Sequence, residues 1–223
     1  MSPLLDRGEF WLLTNAAESR LPFGILTLPE WPDGDNPDAT IDVVLNKRGH
    51  GLDRRQLADT LLRMLGRGWI ELSRITQERR PPDSPDHSEM IQMLDERGLF
   101  CDGVYYGLTA KGGAVWEAFA RPEWDRYVGY TLEFADPDGD NTEVHEIVAT
   151  DRKRLRRYME AVAYEMPIEA GSEDYTDILP WQATYWKSLP VGVRCTFRVS
   201  KLDPSPSRPP SSEWLRGRWC PWL

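Results

Sequence analysis

The spacing of apolar residues gives the first half of the chain a helical pattern and the second half a strand pattern. A first helix is expected over about Leu4 to Thr14, where Leu5, Phe10, Trp11 and Leu13 form an imperfect apolar stripe and Pro22 ends any continuation. The proline-rich stretch from Leu28 to Asp38 predicts a surface loop before the short apolar segment Ile41 to Leu45. The sharpest helical signal follows it. Asp53 can cap the helix, Gln56 stands three residues on as in a capping box, and Leu52 and Leu57 occupy the staple positions. Leu57, Leu61, Met64 and Leu65 then recur on one face, and Gly66 and Gly68 supply the stop. Trp69 to Ile75 reads as a strand with Ile70 and Leu72 on one side. A further helix is expected from Ser84 with Pro85 at its first position, through Met90, Ile91 and Leu94 to Gly98. Val104 to Leu108 reads as a strand, and Thr109 opens a helix that Pro122 must end.

Beyond about Tyr127 the period shortens to two. Tyr130, Leu132 and Phe134 alternate with polar residues, the turn formers Asp136 to Asn141 follow, and a second strand is expected over Thr142 to Ala149, which together predict a hairpin. Thr150 or Asp151 caps a helix with Leu155, Tyr158, Met159 and Val162 on one face, broken at Pro167. Val193, Cys195, Phe197 and Val199 then alternate as a strand with one buried face. The fold class expected is α+β: a helix-rich domain over 1–127, a small antiparallel sheet-plus-helix domain over 128–202, and a Pro/Ser linker with a tryptophan-rich tail over 203–223.

The run Tyr105-Tyr-Gly-Leu-Thr-Ala-Lys-Gly-Gly-Ala-Val-Trp-Glu, with a helix and Gly68-Trp-Ile-Glu-Leu before it, resembles bacterial winged-helix domains. Those end in a strand reading Tyr-x-Leu-Thr followed by x-Lys-Gly and a helix. The resemblance covers roughly residues 1 to 127 and makes Asp53 to Leu65 the recognition-type helix. It departs from the family at one place: winged helices join their wing strands by a short hairpin, whereas here a helical segment with prolines, 81 to 98, lies between Ile75 and Val104.

Charge refines the picture. Lys+Arg 27 against Asp+Glu 36 gives a net charge of -9, which disfavours coating nucleic acid through the overall field. Residues 47 to 80 run the other way, with nine cations against four carboxylates. If the resemblance holds, Arg54, Arg55 and Arg63 are the residues that would reach DNA; the plainer reading is a solvated helix face. A second basic run, Arg152, Lys153, Arg154, Arg156 and Arg157, occupies the first turns of a helix, where cations oppose the macrodipole. Either carboxylates of the same chain pair with it, or an acidic partner or phosphate does, with Arg152 and Arg156 as the contacts.

No catalytic set stands out. Asp136, Asp138 and Asp140 have the spacing that begins a calcium loop, but Asn141 and Ile147 replace the required glycine and glutamate. His145 lies beside Glu143 and Glu146, yet no histidine pair has ligand spacing. The order Lys111-Gly112-Gly113 is reversed from a phosphate-binding loop, so close helix packing is the better account of the glycines. Three well-separated cysteines fit reduced thiols. Ten tryptophans are many for this length, and Trp181, Tyr185 and Trp186 lie in one proline-bounded segment. They either cover the small domain or anchor a partner. Trp214, Trp219 and Trp222 are expected to dock back on the same chain, near Trp181 and Trp186.

Mean hydropathy is -0.54, no run approaches the roughly 18 apolar residues of a membrane span, and Met1 to Glu9 lacks the pattern of a secretion signal. The expectation is a cytoplasmic, non-enzymatic protein without cofactor that binds another protein. In size and charge it resembles the immunity proteins that neutralise toxins. The alternative is a winged-helix DNA-binding regulator.

Overall fold

The computed structural model describes residues 5–27, 50–74, 81, 84–96, 103–134, 143–165 and 167–199. The loop before Ile41, the turn at Asp136 to Asn141 and the tail beyond Leu202 lie outside the described residues. Helices and antiparallel sheets together make an α+β protein. The chain forms two compact units. The first is drawn from Met1–Ala120 with Thr184–Trp186, and the second from Arg121–Ala183 with Lys187–Leu223. The division at Ala120 precedes the expected boundary at Tyr127, and the excursion at Thr184 was not expected at all.

In the first unit, α1 (Arg7–Asn15) starts at a capping box in which Asp6 accepts from Glu9 N and Glu9 reaches back to Asp6 N. Leu12 and Leu13 are its buried apolar side chains, with Phe10 and Trp11 only half-buried. β1 (Leu21–Pro22) and α2 (Phe23–Thr27) follow, then α3 (Arg54–Gly66). α3 carries the capping box between Asp53 and Gln56, at 2.9 Å in both directions. Leu57, Leu61 and Met64 are fully buried, whereas Leu65 is only half-buried and falls off the stripe. β2 (Ile70–Arg74) leads to α4 (His87–Asp95), whose cap is Asp86 rather than Ser84, so Pro85 stands before the helix. Asp86 has Glu89 three residues on, and that reciprocal pair outcompetes a proline start.

β3 (Val104–Leu108) lies between β1 and β2 in an antiparallel sheet, with Ile70 opposite Leu108 and Arg74 opposite Val104. Thr109 then caps α5 (Ala110–Ala120), accepting from Gly112 N at 3.1 Å. A Cβ at Gly112 would overlap the Trp69 carbonyl, and one at Gly113 would overlap the Trp186 ring. The paired glycines are therefore a packing device.

The second unit opens with a short 3₁₀ turn, Trp124–Arg126, and the hairpin partners β4 (Val128–Phe134) and β5 (Glu143–Ala149). Asp151 caps α6 (Arg152–Glu165) by accepting from Arg154 N at 2.8 Å. β6 (Asp174–Ile178), the two-residue ladder of β7 (Trp181–Gln182) with β8 (Ser188–Leu189), and β9 (Gly192–Arg198) complete it. The sheet order is β4-β5-β9-β6, all antiparallel, which leaves β6 at an edge. α6 lays Leu155, Tyr158, Met159 and Val162 on Val128, Ile147, Ala149, Cys195 and Phe197, the core of the unit. Among the described residues no helix is long and apolar enough to cross a membrane.

Candidate functional site

The segment expected to offer aromatic anchors is used inside the chain. Trp181 is 4% exposed and tilts against Tyr127 at 5.9 Å between ring centres. Tyr185 donates its hydroxyl to the Ala16 carbonyl at 2.6 Å and accepts from Leu108 N. Trp186 donates Nε1–H to the Ala17 carbonyl at 2.7 Å and meets Trp116 edge to face at 6.0 Å. Trp181 packs inside its unit, and the polar atoms of Tyr185 and Trp186 each find a backbone partner.

Among the described residues of the basic segment, four arginines are paired within the chain. Arg54 pairs with Asp95. Arg63 reaches Glu9 through Nε at 2.9 Å and Asp6 through its terminal nitrogen at 2.8 Å, which raises its pKa further. Arg67 also reaches Glu9, at 2.8 Å, and Arg74 holds Glu96 at 2.7 Å. Glu9 is 2% exposed, so two guanidinium groups compensate one buried carboxylate. Of the three arginines that the winged-helix resemblance singles out, Arg55 alone is exposed without an ion pair to a described residue.

α6 is different. Its buried residues recur at helical spacing, which turns Lys153 and Arg157 away from the sheet and leaves Arg152 and Arg156 on the flank of the buried stripe, beside Tyr175 and Met159. All four are exposed, and none makes an ion pair with a described residue. The Arg152 guanidinium lies 5.3 Å from the centre of the Tyr175 ring. Arg154 approaches Asp151 at 3.8 Å, while these four cations stand in the first turns of a helix, against the dipole, without an ion pair to a described carboxylate.

Beside this face a groove of about 480 Å³ runs between α6 and β6. Met159, Ala163, Ile168 and the Tyr175 ring line it with apolar surface, and Arg156, Glu160 and Glu173 add charge. The Tyr175 hydroxyl donates to Glu173 at 3.1 Å. Burial first, and then Glu173, push its pKa up to about 12, so the phenol is neutral at physiological pH. Behind it Cys195 is buried, and that burial raises its thiol above the usual value. A shielded thiol with a raised pKa makes a poor nucleophile.

His145 does not form the carboxylate site that its neighbours suggest. It is 1% exposed, shares a 2.6 Å hydrogen bond with the Tyr130 hydroxyl and stacks on Phe197 at 5.4 Å. Glu146, next along the strand, points to the other face and approaches Arg194 at 3.7 Å. Among the described residues no group of three or more His, Cys, Asp or Glu side chains is placed to hold a metal.

Sequence reasoning found the cation row from its helical spacing but missed the groove. Tyr175 comes from β6, with Glu173 just before it, and the strand residues Asp-Tyr-Thr-Asp-Ile carry little hydrophobic alternation. Matched against protein-family models, curated proteins and solved structures, the chain has no counterpart.

Proposed function

We propose that the chain is a non-enzymatic cytoplasmic protein-interaction protein, an immunity-type inhibitor or scaffold, that receives an acidic partner protein on the exposed cations of α6. One observation carries this reading: four exposed cations without ion pairs to described residues on a helix whose own dipole disfavours them, in a chain of net charge -9. A row of this sign adjoining an apolar groove has the composition of an interface, with steering charge around a desolvated anchor.

Capture from nuclease-treated lysate tests the reading with three baits: the native chain, Arg152→Glu/Arg156→Glu and Arg54→Glu/Arg55→Glu. An acidic protein retained by the first and third baits and lost by the second is the expected result. An identical set of retained proteins on all three would contradict it.

A second reading, a winged-helix DNA-binding regulator, draws support from the antiparallel pairing of β2 with β3 just after α3 and from Arg55 at the start of that helix, which is exposed and has no ion pair to a described residue. Pairing of Arg54 and Arg63 within the chain weighs against it. Mobility shifts that are tight, steeply salt-dependent and abolished by Arg54→Ala/Arg55→Ala would promote this reading over the first.

A further inference from the structure

The edge strand of the second unit has a backbone direction that can be deduced. Arg198 donates its N–H to Ser172 Oγ at 3.0 Å, and its carbonyl accepts from Glu169 N at 2.9 Å, so both of its backbone groups face the chain leading into β6. In an antiparallel ladder this direction alternates along a strand, so Thr196, Arg194 and Gly192 also face β6. They stand opposite Asp174, Thr176 and Ile178. The intervening residues, Tyr175 and Asp177, therefore turn their N–H and C=O groups away from β9. Among the described residues no strand pairs with that edge.

A strand added there would set every second side chain on the α6 side of the sheet, over the groove lined by Met159, Ala163 and Tyr175 and toward Arg152 and Arg156. We infer that β6 accepts, by strand addition, an extended segment of the partner protein that carries an apolar residue and a carboxylate two positions apart. The apolar side chain fills the groove, the carboxylate meets the α6 cations, and the backbone of Tyr175 and Asp177 supplies the hydrogen bonds. This rests on the reading of α6 as the partner face and specifies how the partner is held.

Charge selects against a second copy of this chain as the occupant. Edge-to-edge pairing of two β6 strands that sets Asp177 opposite Asp177, or opposite the Glu173 that precedes the other strand, places like charges across the ladder, which is unfavourable.

The test uses the full chain and a fluorescein-labelled peptide, Thr-Val-Thr-Leu-Thr-Glu-Thr-Glu-Thr, followed by anisotropy. Binding is expected to weaken at least about tenfold with Asp177→Pro, which removes one outward N–H and leaves the β9 ladder intact. A similar loss is expected with Arg152→Glu/Arg156→Glu. Two peptides N-methylated on opposite alternate residues probe the same bonds against the unaltered protein, and only one of the two should lose affinity. If charge reversal abolishes binding while Asp177→Pro and both methylated peptides bind as the parent does, strand addition is wrong and the cation-face reading survives. Absence of binding at about 1 mM peptide overturns the inference. A dimer in sedimentation that Asp177→Pro dissolves overturns it too, by making the occupant a second copy.

Discussion

Trp186 Nε1 donates to the Ala17 carbonyl over 2.7 Å, joining residues 169 positions apart in the chain. Gly113 makes room for the Trp186 ring on one side, and Trp116 meets it edge to face on the other. A tripeptide from late in the sequence is thus part of the first unit's interior.

The packing at α5 predicts opposite outcomes for chemically identical substitutions. Gly112→Ala and Gly113→Ala should each destabilise by about 1 to 3 kcal/mol despite alanine's better helix propensity, because the added methyl has no space. Gly66→Ala, in α3 with nothing nearby, should stabilise by about 0.5 to 1 kcal/mol. Denaturant melts that moved all three in one direction would show that close approach is not the reason for the glycines.

Leu61 has no exposed surface, whereas Leu65 is half-buried. Leu61→Ala should cost about 2 to 5 kcal/mol and Leu65→Ala clearly less. Equal losses in denaturant melts would place the helix in a different rotation.

These cases mark what local pattern can disclose. α3 is legible because the Asp53 and Gln56 cap, the leucine spacing and the closing glycines all agree, and they act within one helix. The cations of α6 are legible for the same reason. The destinations of Tyr185 and Trp186 are not, since nothing near them in sequence encodes Ala16 or Ala17 as a partner. β6 escapes notice because this edge strand buries no side chain fully: Tyr175 and Ile178 are half-buried and the others exposed. β1 and α2 are too short to show a period.

Alkaline pH should weaken the fold. Burial raises the hydroxyls of Tyr175 and Tyr185 from an ordinary 10.0 to about 12. Between those values the unfolded chain has lost protons that the native chain retains, so stability falls as pH rises through the window and is complete below it. Tyr175→Phe should flatten the decline, read by denaturant melts at about pH 9 and about pH 11. A decline as steep as that of the native chain would contradict the assignment.

Because Arg152 and Arg156 stand in the first turns of α6, replacing them with glutamate should leave the isolated chain as stable or raise its stability by about 0.3 to 1 kcal/mol each. A substantial loss in thermal or denaturant melts would mean that these cations serve the fold itself.

The most direct measurement is a calorimetric titration of the captured acidic partner into the native chain and into Arg152→Glu/Arg156→Glu, at low and at physiological salt. The account predicts binding by the native chain that weakens with salt, and a loss of about 2 kcal/mol or more in the doubly reversed variant, whose melting curve is undiminished. Equal affinities for the two proteins would contradict the assignment of α6 as the partner face.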